Sequence, residues 1–140
     1  MSAFLLDTVT VSELRKQHKA DAQVLAWQAV TPSSQCWLSV ITLNEIRAGI
    51  LQVEDRDPAF AARLDAWYRT SLLTHFGSRL HDIDLATAEV AAVMRIKHNL
   101  SYNDALIAAT AVVHRLTLVT RNEADFVGTG VVVVNPWKPV

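Results

Sequence analysis

Short, mainly apolar segments alternate with longer segments of helical periodicity along this chain. A strand of a parallel sheet is buried on both faces and is therefore apolar throughout, whereas a half-exposed strand alternates apolar and polar residues. Such strands, alternating with helices, predict an α/β fold whose parallel sheet is covered on both faces. The predicted strands are 3–6, 37–40, 80–83, 117–119 and 131–134.

Residue patterns at helix ends predict where the intervening helices begin. The segments 10–13 and 42–45 have the capping-box pattern, in which a threonine hydroxyl and a glutamate carboxylate bind free N–H groups of the first helical turn. Pro58 suits the first turn of a further helix. These signals predict a helix from the first capping box onwards and others at 21–30, 42–53, 58–75, 85–98 and 102–115.

The composition allows one folded domain and sets few limits on its partner. With 140 residues, 51% of them apolar, the chain can bury a core, so we expect a single domain over 1–140. We see no secretory signal and no apolar run long enough for a bilayer, and the single cysteine cannot form an internal disulfide. We therefore expect a cytoplasmic protein. A net charge of −1 argues against a protein that coats nucleic acid non-specifically, but not against a nuclease that binds a phosphate backbone at one cleft.

Acidic side chains follow several predicted strands at the point where each strand ends. Asp7 follows the first strand, Glu45 lies shortly after the second, and Asp104 begins an Ala/Ile-rich helix. Asn122 and Asp125 follow the fourth strand. Ligands of parallel α/β sheets bind outside the carboxyl ends of the strands, so we expect these side chains to face one small cleft.

Grouped carboxylates repel one another unless a cation lies between them, and hard oxygen ligands select Mg²⁺ or Mn²⁺. Such an ion generates hydroxide from water and stabilises charge on a phosphodiester. Metal binding must be compared with a purely structural explanation for each acid. Glu45 ends a capping box and Asp104 ends a similar Ser-x-x-Asp pattern, while Asp125 suits an ordinary loop. Asp7 has the weakest structural explanation, because Thr10 and Glu13 already cap the next helix in this interpretation.

Four segments resemble the successive signature blocks of the PIN-domain family, in the family's order. They are 5–8 (LLDT), 38–49 (LSVITLNEIRAG), 103–111 (NDALIAATA) and 118–126 (LVTRNEADF). The ending at 134–137 (VNPW) is similar to the branch that contains the VapC and FitB toxins. The resemblance covers essentially the whole chain.

This resemblance implies a three-layer α/β/α fold with a central, mainly parallel sheet of four to five strands. It further implies an endoribonuclease toxin that uses Mg²⁺ or Mn²⁺, with Asp7, Glu45 and Asp104 as metal-binding, catalytic acids. Members of this branch typically form homodimers and are inhibited by a cognate antitoxin protein. The antitoxin covers the cleft and itself binds operator DNA.

Two positions depart from the family pattern. Val9 stands where the first block usually has asparagine, and Asn122 stands at a fourth acidic position that is often aspartate. An amide oxygen can bind a metal but carries no charge, so we expect a weakly held second metal position. Asp125 is the candidate to replace Asn122 as a metal ligand or to bind the ion together with it. If Asp125→Ala leaves the metal titration of activity unchanged, Asp125 has no such role.

Basic residues near the predicted cleft are candidates for binding RNA phosphates, with ordinary surface charge as the alternative explanation for each. These residues are Arg15, Lys16, Arg47, Lys97 and Arg121. Two other functions remain open at this point. One is a PIN fold that has lost catalysis through Val9 and Asn122 and acts by binding, and the other is a metal-dependent nuclease acting on single-stranded or flap DNA.

Overall fold

The computed structural model describes residues 3–139, and it contains a five-stranded parallel sheet. The strands are β1 (Phe4–Leu6), β2 (Cys36–Ser39), β3 (Leu80–His81), β4 (Thr117–Val119) and β5 (Val133–Val134). Their order across the sheet is β3-β2-β1-β4-β5, and every neighbouring pair is parallel. The predicted α/β fold with a parallel central sheet is therefore confirmed, with β1 in the middle.

Helices connect these strands in the alternating order that the sequence predicted. They are α1 (Thr8–Leu14), α2 (Ala22–Val30), α3 (Val40–Glu54), α4 (Pro58–Ala66), α5 (Leu73–Phe76), α6 (Leu85–His98) and α7 (Tyr102–Val113). A π-helical stretch, Trp67–Leu72, joins α4 to α5 and makes the predicted helix 58–75 continuous but irregular. Within residues 3–139, no helix is long and apolar enough to cross a membrane.

The sheet separates two apolar cores because successive side chains of a strand point to opposite faces. Leu5 and Leu118 are fully buried in one core, against α6 and α7. Their chain neighbours Leu6 and Val119 are buried in the other core, against α1, α2 and α3. Neighbouring strands keep this register, since Leu5 pairs with Leu118 and Leu6 with Val119. The result is the three-layer arrangement, and it fixes the carboxyl ends of β1, β2 and β4 at one edge.

Both predicted capping boxes are wrong in detail. Helix α1 begins at Thr8 rather than after Thr10, and α3 begins at Val40 rather than after Thr42. In each case an earlier side chain, at the end of the preceding strand, caps the helix. The two threonines instead lie inside the helices, where both are fully buried.

Candidate active site

Asp7 directly follows β1 and is the N-cap of α1. Its carboxylate accepts the backbone N–H of Thr10 at 2.9 Å, which satisfies one of the free donors of the first turn. It also accepts the Thr10 hydroxyl at 2.7 Å, and that hydroxyl lies 3.0 Å from the carbonyl oxygen of Val119 on β4. The view that Asp7 has no capping role was therefore wrong. Capping and hydroxyl contact together hold this carboxylate in one orientation.

Glu45 lies in the second turn of α3, because Ser39 caps the helix by accepting the backbone N–H of Ile41 at 3.0 Å. Glu45 is therefore not the end of a capping box, and it is too far along the helix for strong support from the helix dipole. Its carboxylate accepts the Thr8 hydroxyl at 2.5 Å and the Asn103 amide at 3.4 Å. Glu45 thus connects α1, α3 and α7 through polar contacts.

Asp104 occupies the first turn of α7, as predicted, and Ser101 caps the helix by accepting the backbone N–H of Asp104 at 3.4 Å. Burial raises the pKa of the Asp104 carboxyl, and the Ser101 contact opposes this change. The negative charges of Glu45, Asp125 and Asp7 raise the pKa of Asp104 further. The carboxylates of Glu45, Asp125 and Asp7 therefore lie near that of Asp104, and we call these four groups the acidic cleft.

The segment that follows β4 contains the two remaining candidate residues, Asn122 and Asp125. Asn122 is exposed, and its backbone N–H donates to the Thr120 hydroxyl at 3.1 Å. Asp125 is exposed on a single 3₁₀ turn, Glu123–Phe126, where its charge acts on Asp104. Asp125 therefore lies near the predicted acids. The side chain of Asn122 precedes this turn but makes no capping hydrogen bond to it.

The donor set of the acidic cleft fits Mg²⁺ or Mn²⁺ in its chemistry. All of its charged groups are carboxylates, and their mutual repulsion, seen at Asp104, is what a cation would relieve. Among residues 3–139, however, no three His, Cys, Asp or Glu side chains already stand at metal-ligand spacing. Mg²⁺ is usually bound through one or two carboxylates and several waters, so direct ligation by three side chains is not required.

Comparison with known proteins agrees with this geometry. Residues 4–130 match the PIN domain. The chain belongs to the PIN domain family. It is 32% identical to a VapC ribonuclease of Sinorhizobium fredii, over 96% of this chain and 98% of the relative. It is 33% identical to toxin FitB of Neisseria gonorrhoeae, over 95% of this chain and 97% of the relative.

Solved structures support the same relationship. The crystal structure of FitAcB from Neisseria gonorrhoeae matches with a TM-score of 0.85 and 30% identity, covering 96% of this chain and 98% of that one. A structure of FitAB bound to a DNA fragment matches with a TM-score of 0.87 and 29% identity, over 98% and 97% of the two chains. The resemblance to PIN domains of the VapC and FitB type is thereby confirmed.

Most of the basic residues predicted for this PIN domain have partners of their own. Arg47 donates to Asp65 at 2.8 Å, and the same carboxylate also accepts from Arg69. Lys16 pairs with Glu13 at 2.9 Å, and the Arg121 guanidinium lies 5.4 Å from the ring centre of Trp137. Lys97 lies exposed in the last turn of α6.

Arg15 differs because it lines a cavity together with Glu45. This cavity has a volume of about 270 Å³, and we call it the Glu45 cavity. It lies beside the acidic cleft, between α1, α3 and the helical segment 58–72. The Glu45 cavity is lined by Thr8, Ser12, Arg15, Glu45, Ile46, Gly49, Ile50, Phe60, Leu64 and Trp67.

Sequence reasoning missed three polar residues of the site: Thr8, Thr10 and Asn103. Thr8 and Asn103 contact the Glu45 carboxylate, and Thr10 contacts that of Asp7. A signal was present in the sequence, since Thr8 and Asn103 are direct chain neighbours of Asp7 and Asp104. Thr10 was missed for another reason, because the capping-box interpretation assigned its hydroxyl to the end of a helix.

Proposed function

We propose that this PIN domain is a metal-dependent endoribonuclease, a toxin held inactive by a cognate antitoxin. The observation that carries the proposal is the acidic cleft, where the half-buried Asp104 faces the charges of Glu45, Asp125 and Asp7 at the carboxyl edge of the sheet. Similarity to a VapC ribonuclease and to toxin FitB supports RNA as the substrate. The FitAB complex with DNA supports an antitoxin that also binds operator DNA. The protein would act in the cytoplasm as a homodimer.

Asp7, Glu45 and Asp104 would hold Mg²⁺ or Mn²⁺, with Asn122 or Asp125 completing the set. The bound ion lowers the pKa of water and stabilises negative charge on the phosphodiester. The protein's own part is to keep the carboxylates oriented. Thr10 holds Asp7, and Thr8 and Asn103 hold Glu45, so that little reorganisation accompanies substrate binding.

The test is cleavage of a mixed RNA pool by purified, antitoxin-free protein with Mn²⁺, with EDTA, and with the Asp7→Asn variant. We expect cleavage only with metal and with Asp7 intact. Asparagine is as good an N-cap as aspartate, so this variant removes the charge and keeps the cap of α1. Absence of cleavage by folded wild type would favour a PIN fold that acts by binding, and equal cleavage of DNA of the same sequence would favour a nuclease that is not RNA-specific.

Metal binding should also be visible without catalysis. A ligand that binds only the folded state raises its stability, so Mn²⁺ should raise the melting temperature of wild type in a concentration-dependent way. The same titration of Asp7→Asn should give a smaller rise. An identical rise in both proteins would mean that the ion binds elsewhere. Asp125→Ala in this titration tests whether Asp125 belongs to the set.

A further inference from the structure

Gly49 is a glycine for which the fold gives no reason. Three of the four glycines have positive φ angles, which side chains rarely adopt, whereas Gly49 lies inside α3 without one. Glycine destabilises a helix interior relative to alanine. A Cβ atom built on Gly49 would meet no atom within 4 Å, so close packing of another element does not require the glycine either.

The place of Gly49 on α3 supplies a reason. It stands four residues after Glu45, and residues with this spacing lie on the same face of a helix. Both residues line the Glu45 cavity. One turn after Glu45, the same face of α3 has no side chain at position 49. Any side chain at that position would project into the cavity.

The lining of the Glu45 cavity combines polar and aromatic side chains. The polar ones include Ser12 and Thr8, whose hydroxyl contacts the Glu45 carboxylate. Phe60 and Trp67 are the aromatic ones. Aromatic side chains of this kind stack on nucleic-acid bases without strict preference for one base.

Two arginines contact Phe60, and one of them, Arg15, also lines the Glu45 cavity. The guanidinium groups of Arg15 and Arg63 lie 5.9 Å and 5.4 Å from the ring centre of Phe60. A guanidinium that lies over an aromatic ring can itself stack on a nucleic-acid base and pair with a backbone phosphate. The carboxylates of the acidic cleft cannot stack on a base, so the aromatic residues of the Glu45 cavity would complement them.

We propose that the Glu45 cavity binds the base of a nucleotide next to the scissile phosphate of single-stranded RNA, and that Gly49 determines specificity by keeping the cavity open. The proposal rests on the ribonuclease function proposed above. The base must leave its stack to enter, so paired RNA would be a poor substrate.

The test compares Gly49→Leu and Gly49→Ala with Ala48→Leu. Ala48 is exposed on the same helix and lies outside the cavity lining, so its leucine variant controls for added bulk on α3. We expect Gly49→Leu to cut single-stranded RNA at least about tenfold less efficiently, mainly through KM, because a stacked base contributes this much to binding. Gly49→Ala should show a smaller loss with an unchanged or higher melting temperature, and Ala48→Leu should match wild type.

A binding assay decides the proposal independently of cleavage. Anisotropy of a labelled single-stranded oligoribonucleotide is measured on Asp104→Asn protein, with and without the second substitution. Gly49→Leu and Phe60→Leu should each weaken RNA binding about tenfold. Phe60→Tyr retains the aromatic ring and should bind RNA as well as the protein with Phe60. If Gly49→Leu destabilises the protein, Gly49→Ala and Phe60→Leu still carry the comparison.

The outcomes separate this proposal from the one on which it rests. Wild type without RNA cleavage would contradict the ribonuclease function, while the binding assay would still decide the role of the cavity. Active wild type together with equally active and equally binding Gly49→Leu would overturn the cavity assignment alone. Unchanged cleavage by Gly49→Leu with loss of inhibition by the antitoxin would also overturn it, since the cavity would then bind protein.

Discussion

Asp104→Asn should lower the rate of RNA cleavage by at least about 100-fold without destabilising the protein. A metal ion supplies several kcal/mol of charge stabilisation in such reactions, and each 1.36 kcal/mol corresponds to a tenfold change in rate. Asparagine keeps the size of the side chain, and the backbone N–H that Ser101 accepts is unchanged. The measurement is the initial rate on a defined RNA with saturating Mn²⁺, alongside thermal unfolding in EDTA.

The pH dependence of stability gives a second readout on the same variant. Because the pKa of Asp104 is raised in the folded protein, the folded state binds this proton more tightly than the unfolded chain does. The contribution to stability is therefore present below the unfolded pKa and is lost as pH rises through the folded pKa. In EDTA, wild type should lose stability relative to Asp104→Asn as pH rises from about 4 towards 7.

Asp55→Asn is the matched control for Asp104→Asn. Asp55 is exposed at the carboxyl end of α3 and is not among the charges that act on Asp104. Its variant should retain wild-type cleavage, and it should not show the stability change assigned to the acidic cleft. Wild-type cleavage by Asp104→Asn would contradict the metal-binding role. A pH-independent stability difference would mean that neither burial nor the neighbouring charges raise the pKa of Asp104.

The fold was predictable because it depends on features that a sequence states directly. Mainly apolar strands, predicted here at three or four residues each and separated by helices, allow few arrangements other than a covered parallel sheet. The boundaries were less predictable. Ser39 and Asp7 end buried strands and cap the following helices, so α3 and α1 begin earlier than the capping-box pattern indicates. Several residues can offer a cap, and the tertiary position of the strand end decides which one does.

The sequence indicated acids that lie near one another in the fold, and it did not indicate their supporting contacts. Asp7 follows β1, Glu45 lies in the helix after β2, and Asp104 lies in the first turn of α7, so the sequence placed each acid near the start of a helix. The contact of Asn103 with Glu45 spans 58 residues, and no local pattern indicates it. The role of Arg47 depends on Asp65, another residue distant in sequence, which binds its guanidinium. Contacts between residues so far apart in the chain are determined by how the helices and strands pack, and the spacing of residues along the sequence does not indicate them.

The contact between Thr10 and Asp7 leads to the second large effect that we expect. Thr10→Val replaces a fully buried hydroxyl with a methyl group of similar volume. The change leaves the Asp7 carboxylate without a donor at 2.7 Å and should cost about 1–3 kcal/mol of unfolding free energy. Because the hydroxyl orients a predicted metal ligand, cleavage should fall about 10- to 100-fold, and half-maximal activity should need more Mn²⁺.

Thr110→Val separates positioning of Asp7 from simple loss of stability. Thr110 is also fully buried, and its hydroxyl donates to the carbonyl oxygen of Leu106 at 2.8 Å within α7. Its variant loses a buried hydrogen bond without touching Asp7, so the Mn²⁺ midpoint should stay at the wild-type value. Thr10→Ser, which keeps the hydroxyl, should recover most of the Mn²⁺ affinity. Equal Mn²⁺ midpoints for Thr10→Val and Thr110→Val would show that Thr10 acts only through stability. The Asp7 carboxylate would then bind metal equally well without the Thr10 hydroxyl, so that hydroxyl would not be what orients it.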